Sequence, residues 1–207
     1  MKITWSQNSH LGKHLDAVPH EYDAQPPFRN LLLDATPTRL TPDREAMAAY
    51  LAFGRWSTGD FIVPRRMSDR VARAIEEDAR PLRIRPTPID YQTFPVARGG
   101  KVLNVCTAIQ HVGLHNEDAQ LCILPSSEWN GCLTSVDQIV LSSNAEMIDR
   151  VTKGSIRAQL AVAVLFADDF HANSLRWGTG ECDSSELYKL TQLISSCGLQ
   201  LLLTDAP

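Results

Sequence analysis

Asp168-Asp169-Phe170-His171 places two carboxylates and an imidazole within one short stretch of chain. In an extended backbone Asp169 and His171 fall on the same face, where the carboxylate would orient the ring as a general base. The stretch follows the apolar run from Leu160 to Ala167, which reads as the most apolar strand of the chain, and polar groups at a strand end are where many α/β scaffolds build sites. A plain turn after a buried strand asks for the same residue types, because Asp and His suit turn geometry and satisfy its backbone. The catalytic candidates are therefore Asp168, Asp169 and His171, serving a small hydrolase or a nucleotide-handling enzyme, and they are weighed against a structural turn.

His111 and His115 have the H-x-x-x-H spacing that, on a helix, offers both rings to one metal ion. The preceding Val102-Leu103-Asn104-Val105 reads as strand and Gly113 interrupts. Positions four apart in an extended chain are separated by about 13 Å, too far to share an ion without a sharp bend. The pair stands as a metal-binding alternative only. Gly99-Gly100-Lys101 lacks the spacing of a phosphate loop, and Gly178-Thr179-Gly180 lacks the third glycine of a dinucleotide site. No cofactor is expected, and the balance leans away from an enzyme. Five cysteines, an odd number with no C-x-x-C pair, are expected to be reduced thiols.

Residues 6–40 are rich in Pro, Asn, His and Asp around the apolar island Leu31-Leu32-Leu33, so 1–40 reads as a loop-rich N-terminal arm ahead of a single domain over 41–207. Thr41-Pro42 opens a short amphipathic helix before Gly54. Phe61-Ile62-Val63 reads as strand, and Ser68 caps a helix whose Val71, Ala74, Ile75 and Ala79 form its buried stripe. Pro86 and Pro88 mark the following strand as an edge, because proline cannot donate to a central ladder. Hairpins are expected across Gly99-Gly100 and across Asn130-Gly131. Asn144 caps a brief helix, Asp183 and Glu186 have capping-box spacing, and Leu199 to Leu203 returns as strand. The pattern predicts an α+β fold with a mixed, mostly antiparallel sheet flanked by helices. The sequence shows no internal repeat.

The longest apolar run is eight residues, well short of the roughly 20 needed for a membrane-spanning helix. The stretch from Met1 to Asn8 turns polar before a signal-type apolar core can form, so a cytoplasmic protein with no membrane partner is expected. Residues 1–100 carry 14 Lys and Arg against 12 Asp and Glu, whereas 101–207 carry 6 against 12. Nine of the fifteen arginines lie between Arg55 and Arg98, but the spacings Asp69/Arg73, Arg73/Glu77 and Glu76/Arg80 neutralise charge along a helix face, which argues against a nucleic-acid partner. Trp56, Trp129 and Trp177 fall in segments read as loop or hairpin margin. With Arg65 and Arg66 they form a candidate surface for a protein partner, against the alternative that each ring folds back on the core.

From Asp60 onward the element order resembles immunity 11, a family of immunity proteins from bacterial polymorphic-toxin systems. The residues that carry the resemblance are Asp60-Phe61-Ile62-Val63 leading into Ser68 to Ile75, then Leu82 to Pro88, Val102-Leu103-Asn104-Val105 and Ile139-Val140-Leu141, about half of the chain. Where the family's Leu-Asn-Val strand leads into Val-Asp-x-Leu-Asp, this chain has Ala108-Ile109-Gln110-His111-Val112-Gly113. The resemblance implies a protein that binds a cognate toxin and occludes its active site without catalysis. The sequence leaves the oligomeric state open.

Overall fold

The computed structural model describes residues 1–8, 12–92, 100–108, 118–152, 155–179 and 183–205. The stretch expected as an N-terminal arm contributes three strands to the sheet. β1 (Lys2–Asn8) pairs antiparallel with β2 (Gly12–Val18), and β2 pairs antiparallel with β3 (Asn30–Leu33). Ile3, Leu15, Ala17, Leu31 and Leu33 are buried at alternate positions, and that period of two drives the segment into the middle of the sheet.

α1 (Pro42–Phe53) begins where Thr41-Pro42 predicts and tightens into a 3-10 turn at Gly54–Trp56. β4 (Gly59–Ser68), α2 (Asp69–Asp78) and β5 (Ile84–Asp90) follow, with the Ser68 hydroxyl accepting the Val71 N–H. Among the described residues β5 pairs only with β4, so the two prolines do mark an edge. The second half runs β6 (Lys101–Cys106), β7 (Ala119–Pro125), β8 (Cys132–Thr134), β9 (Gln138–Ser143), α3 (Ala145–Val151), α4 (Arg157–Phe166), β10 (Ala172–Thr179), α5 (Ser184–Ser196) and β11 (Gln200–Asp205). The Asp183 carboxylate accepts the Ser185 N–H at the start of α5.

These strands form one sheet in the order β11-β10-β6-β7-β9-β3-β2-β1-β4-β5, with β8 beside β9. The fold is α+β with a mixed sheet and flanking helices. Among the described residues six of the ten strand pairings are parallel, so the antiparallel part is confined to β1–β3 and to the pairings of β9 with β3 and β8. The hairpin expected across Asn130-Gly131 does not form as read, and most of the one expected across Gly99-Gly100 lies outside the described residues. β6 has β10 on one side and β7 on the other, both parallel, and β7 pairs parallel with β9 while only the short β8 folds back on β9. Outward from the contact of β3 with β9 the order is β2, β1, β4, β5 in one direction and β7, β6, β10, β11 in the other. α1 and α4, then α2 and α5, occupy matching places in the two halves, a structural repeat that the sequence hides.

Leu160 to Phe166, expected as strand, lies in α4. α4 and α1 pack on each other and are buried on nearly every side, which erases the 3.6-residue alternation that would mark a helix in sequence. Helix α2 packs on β5 and α5 on β11, at opposite ends of the strand order, yet α2 and α5 touch. A flat ten-stranded sheet would hold them about 40 Å apart. The sheet therefore curls around α1 and α4, and α2 with α5 closes the open side.

Arg157 locks that closure. Its guanidinium is bidentate to Asp78 of α2 (2.7 and 3.1 Å) and meets Glu186 of α5 at 2.5 Å, while Tyr50 of α1 donates to the same Asp78 at 2.7 Å. Burial alone would raise the Asp78 carboxyl, but the Arg157 guanidinium and the Tyr50 hydroxyl outweigh it and hold Asp78 below the usual carboxylate range. Asp149 of α3 accepts the Ala158 and Gln159 N–H groups at the first turn of α4. Its burial pushes the carboxyl up to about 7, against the pull of those N–H groups and of Arg55 and Arg157.

Cys106 and Cys122 are joined in a disulfide, which corrects the expectation of reduced thiols. They are 16 residues apart in sequence and become direct neighbours only through the register of β6 against β7. Cys132 and Cys197 are free. Among the described residues no helix is long and apolar enough to cross a membrane.

Candidate functional site

In the sheet, the two halves meet along one edge of β9. β8 occupies that edge from Ile139 to Leu141, and β3 reaches it in a single pairing, Leu33 with Ser143. Side chains replace the missing ladder. Asn144 Oδ1 accepts the Leu32 N–H at 2.8 Å, its Nδ2 donates to the Asn30 carbonyl at 2.9 Å, and the Ser143 hydroxyl donates to the Leu32 carbonyl at 2.8 Å. Asn144 sits at the cap position of α3 as expected, but its side chain serves this seam and makes no cap bond.

Where the chain leaves β3, Asp34 to Thr38 diverge from β8 and a cleft of about 430 Å³ opens between them. The buried side chains of Ile139, Phe166 and Phe170 give it an apolar floor. The β8 side contributes Cys132, Thr134, Ser135 and Val136. Two carboxylates, Asp34 and Asp169, line the cleft, and among the described residues no lysine or arginine does. Asp34 also accepts the Gly131 N–H at 2.7 Å, tying the start of the diverging segment to the β8 approach.

The sequence candidates are placed differently from the sequence reading. Asp168 to His171 form a turn after α4, not an extended stretch after a strand, and His171 has a φ of 53°. Asp168 pairs with the buried Arg44 at 2.8 Å and accepts the Thr41 N–H at 2.8 Å, anchoring the start of α1. Asp169 accepts the Thr38 hydroxyl at 2.7 Å and the Arg39 N–H at 2.6 Å. The His171 ring meets the Arg39 guanidinium through Nε2. Among the described residues no hydrogen bond joins Asp169 to His171, so the expected base dyad does not form. His111 and His115 lie outside the described residues, as do Gly99 and Gly180. Among the described residues no cluster of three or more metal-ligating side chains occurs. Lys101 opens β6 and pairs with Asp137 at 3.2 Å.

The tryptophan surface is not assembled. Trp177 is an inward residue of β10, only 6% exposed, because its place in a central strand turns the ring into the core. Trp56 packs partly against that core at the end of α1, and Trp129 packs on Cys122, Leu124 and Val140, with its ring N–H donating to the Gly131 carbonyl at 3.1 Å. Arg65 is bonded to the buried Glu45 at 2.7 Å, which also accepts from Trp5 at 2.6 Å, and Arg66 is exposed.

Compared with known proteins, the chain matches no family model, no curated protein and no solved structure.

The exposed apolar side chains beside the cleft went unflagged. Leu133 is 60% exposed and Val136 92% exposed, in and just after β8. The available signal was local: two aliphatic residues between Gly131 and Asp137, in a segment whose other residues are those of a turn. Asp34 and Cys132 carried no such signal, because only the register of β3, β8 and β9 brings them to one cleft.

Proposed function

We propose that this chain is a protein-binding domain, an immunity protein that binds a cognate bacterial toxin in the cytoplasm and occludes it. The observation that carries the reading is Val136, 92% exposed in the lining of an acidic cleft, with the exposed Leu133 on the same short hairpin. Aliphatic groups in water at a cleft lip gain free energy when a partner covers them. The enzymatic alternative has less to work with, since Asp168, Asp169 and His171 are each engaged by the 38–44 segment. In the cleft Asp34 joins Asp169 of the acidic second half, and such a field favours encounter with a basic partner over other proteins.

Co-expression of this chain with the domain encoded next to it, tested as a growth-inhibiting toxin and scored as rescue of bacterial growth, tests the reading. Wild type protects the cells, and Leu133→Asp combined with Val136→Asp abolishes protection while the urea midpoint stays unchanged. Wild type that gives no protection, or a double variant that protects fully, overturns it.

A further inference from the structure

We infer that the cleft is an open strand position, and that an extended, basic segment of the protein partner binds there by pairing with the outer edge of β8. The inference rests on the protein-binding reading and specifies its site. The Ser135 N–H donates to the Gln138 carbonyl at 2.7 Å, closing a tight hairpin over Val136 and Asp137. From that pair the antiparallel alternation is fixed: Leu133 exchanges backbone bonds with Val140, whereas Cys132 and Thr134, opposite Leu141 and Ile139, turn their N–H and C=O groups away from β9. Those groups have no backbone partner among the described residues. Cys132 and Thr134 both line the cleft, and Asp34 to Thr38 form its far wall, so the outward groups face a space bounded as a strand position is bounded.

Sheet edges are ordinarily protected by proline, by charge or by a covering element. β5 carries Pro86, Pro88 and the exposed Arg85. Cys132-Leu133-Thr134 carries neither proline nor charge, and its three-residue length is its protection. A strand laid on this edge would direct alternate side chains toward the floor of Phe166 and Phe170. Asp34 and Asp169 set the charge of its occupant. Each accepts hydrogen bonds from the chain but meets no cation among the described residues, so a lysine or arginine of the partner supplies the missing charge.

The test is an amide chemical-shift titration of the full ¹⁵N-labelled chain with three synthetic pentapeptides: alternating valine and lysine, alternating valine and glutamate, and the lysine peptide with alternate backbone nitrogens methylated. The lysine peptide should shift the Cys132 and Thr134 amides and bind at least about tenfold tighter than the glutamate peptide. Backbone methylation should abolish the shifts, as should Thr134→Pro, which removes an outward donor and leaves the pairing of Leu133 with Val140 in place. Equal binding of the acidic and basic peptides, shifts confined to other surfaces, or concentration-dependent shifts without peptide, which would mean that a second copy takes the edge, overturn the inference. Its failure is separable from that of the functional reading. Thr134→Pro that still rescues growth removes the strand position and leaves the binding role, whereas wild type that never rescues removes the role whatever the peptides do.

Discussion

Two of the joints between the halves of this molecule, one through helices at Arg157 and one through the sheet at β3 and β9, are built on opposite principles. At the helical joint Arg157, Asp78 and Glu186 have side chains 11%, 6% and 20% exposed, and each is paired with an opposite charge. At the sheet joint a single backbone pairing and a few side-chain bonds connect β3 to β9, and a cleft opens directly beside them. A buried, fully paired charge network is intolerant of loss, because removing one member strands the others away from water. A sheet seam held by few bonds opens at low cost, which suits a surface that must admit a partner. Stability and function are thus assigned to different contacts between the same two halves.

The most damaging way to break this contrast is Arg157→Met, which strands Asp78 and Glu186. It should cost about 3–5 kcal/mol in urea unfolding, since buried carboxylates are left without their cation. At the seam, Asn144→Ala removes two hydrogen bonds and should cost less, about 1–3 kcal/mol, because the groups left without a partner are neutral amides and not charges.

The helical joint also has a pH signature. Asp149 is raised in the folded chain to about 7, so the stability it contributes is full below the ordinary carboxylate pKa and is lost as pH rises through about 7. Thermal unfolding between pH 4 and 7 should show this loss, at most about 1.4 kcal/mol per pH unit, and Asp149→Asn should flatten it. Asp78 acts in the opposite direction and in a lower window, since its depressed carboxyl gives up its contribution only as pH falls through its folded value. The smallest expected effect is that of Val136→Asp, within about 0.5 kcal/mol of wild type in urea, because the side chain is already in water. A large destabilisation there would mean that the β8 tip belongs to the packed structure and is not a free lip.

The elements that announce themselves through local chemistry were legible. Thr41-Pro42, Ser68 and Asp183 mark the starts of α1, α2 and α5, and Pro86 with Pro88 marks an edge strand, because caps and prolines act on their own backbone. Misreadings arise where long-range packing overrides local pattern. α4 is buried on all sides, so an eight-residue apolar run carried no helical period. In β1 and β2, the alternation of Ile3, Leu15 and Ala17 is present, but the polar residues around it obscured the two strands. Of the cleft, the sequence marks Asp169 alone, as a catalytic group, whereas in the structure its carboxylate accepts hydrogen bonds from Thr38 and Arg39. Asp34, Cys132 and Val136 come from segments about 100 residues apart and meet through register alone, which no local rule encodes.

Native-state hydrogen exchange tests the contrast between the two joints most directly. The account predicts that amides in α1 and α4 exchange only through global unfolding, while those of Leu133 and of the Leu33–Ser143 pairing exchange through a local opening of much lower free energy. Equal protection at the two joints, or a helical joint that opens first, would contradict it.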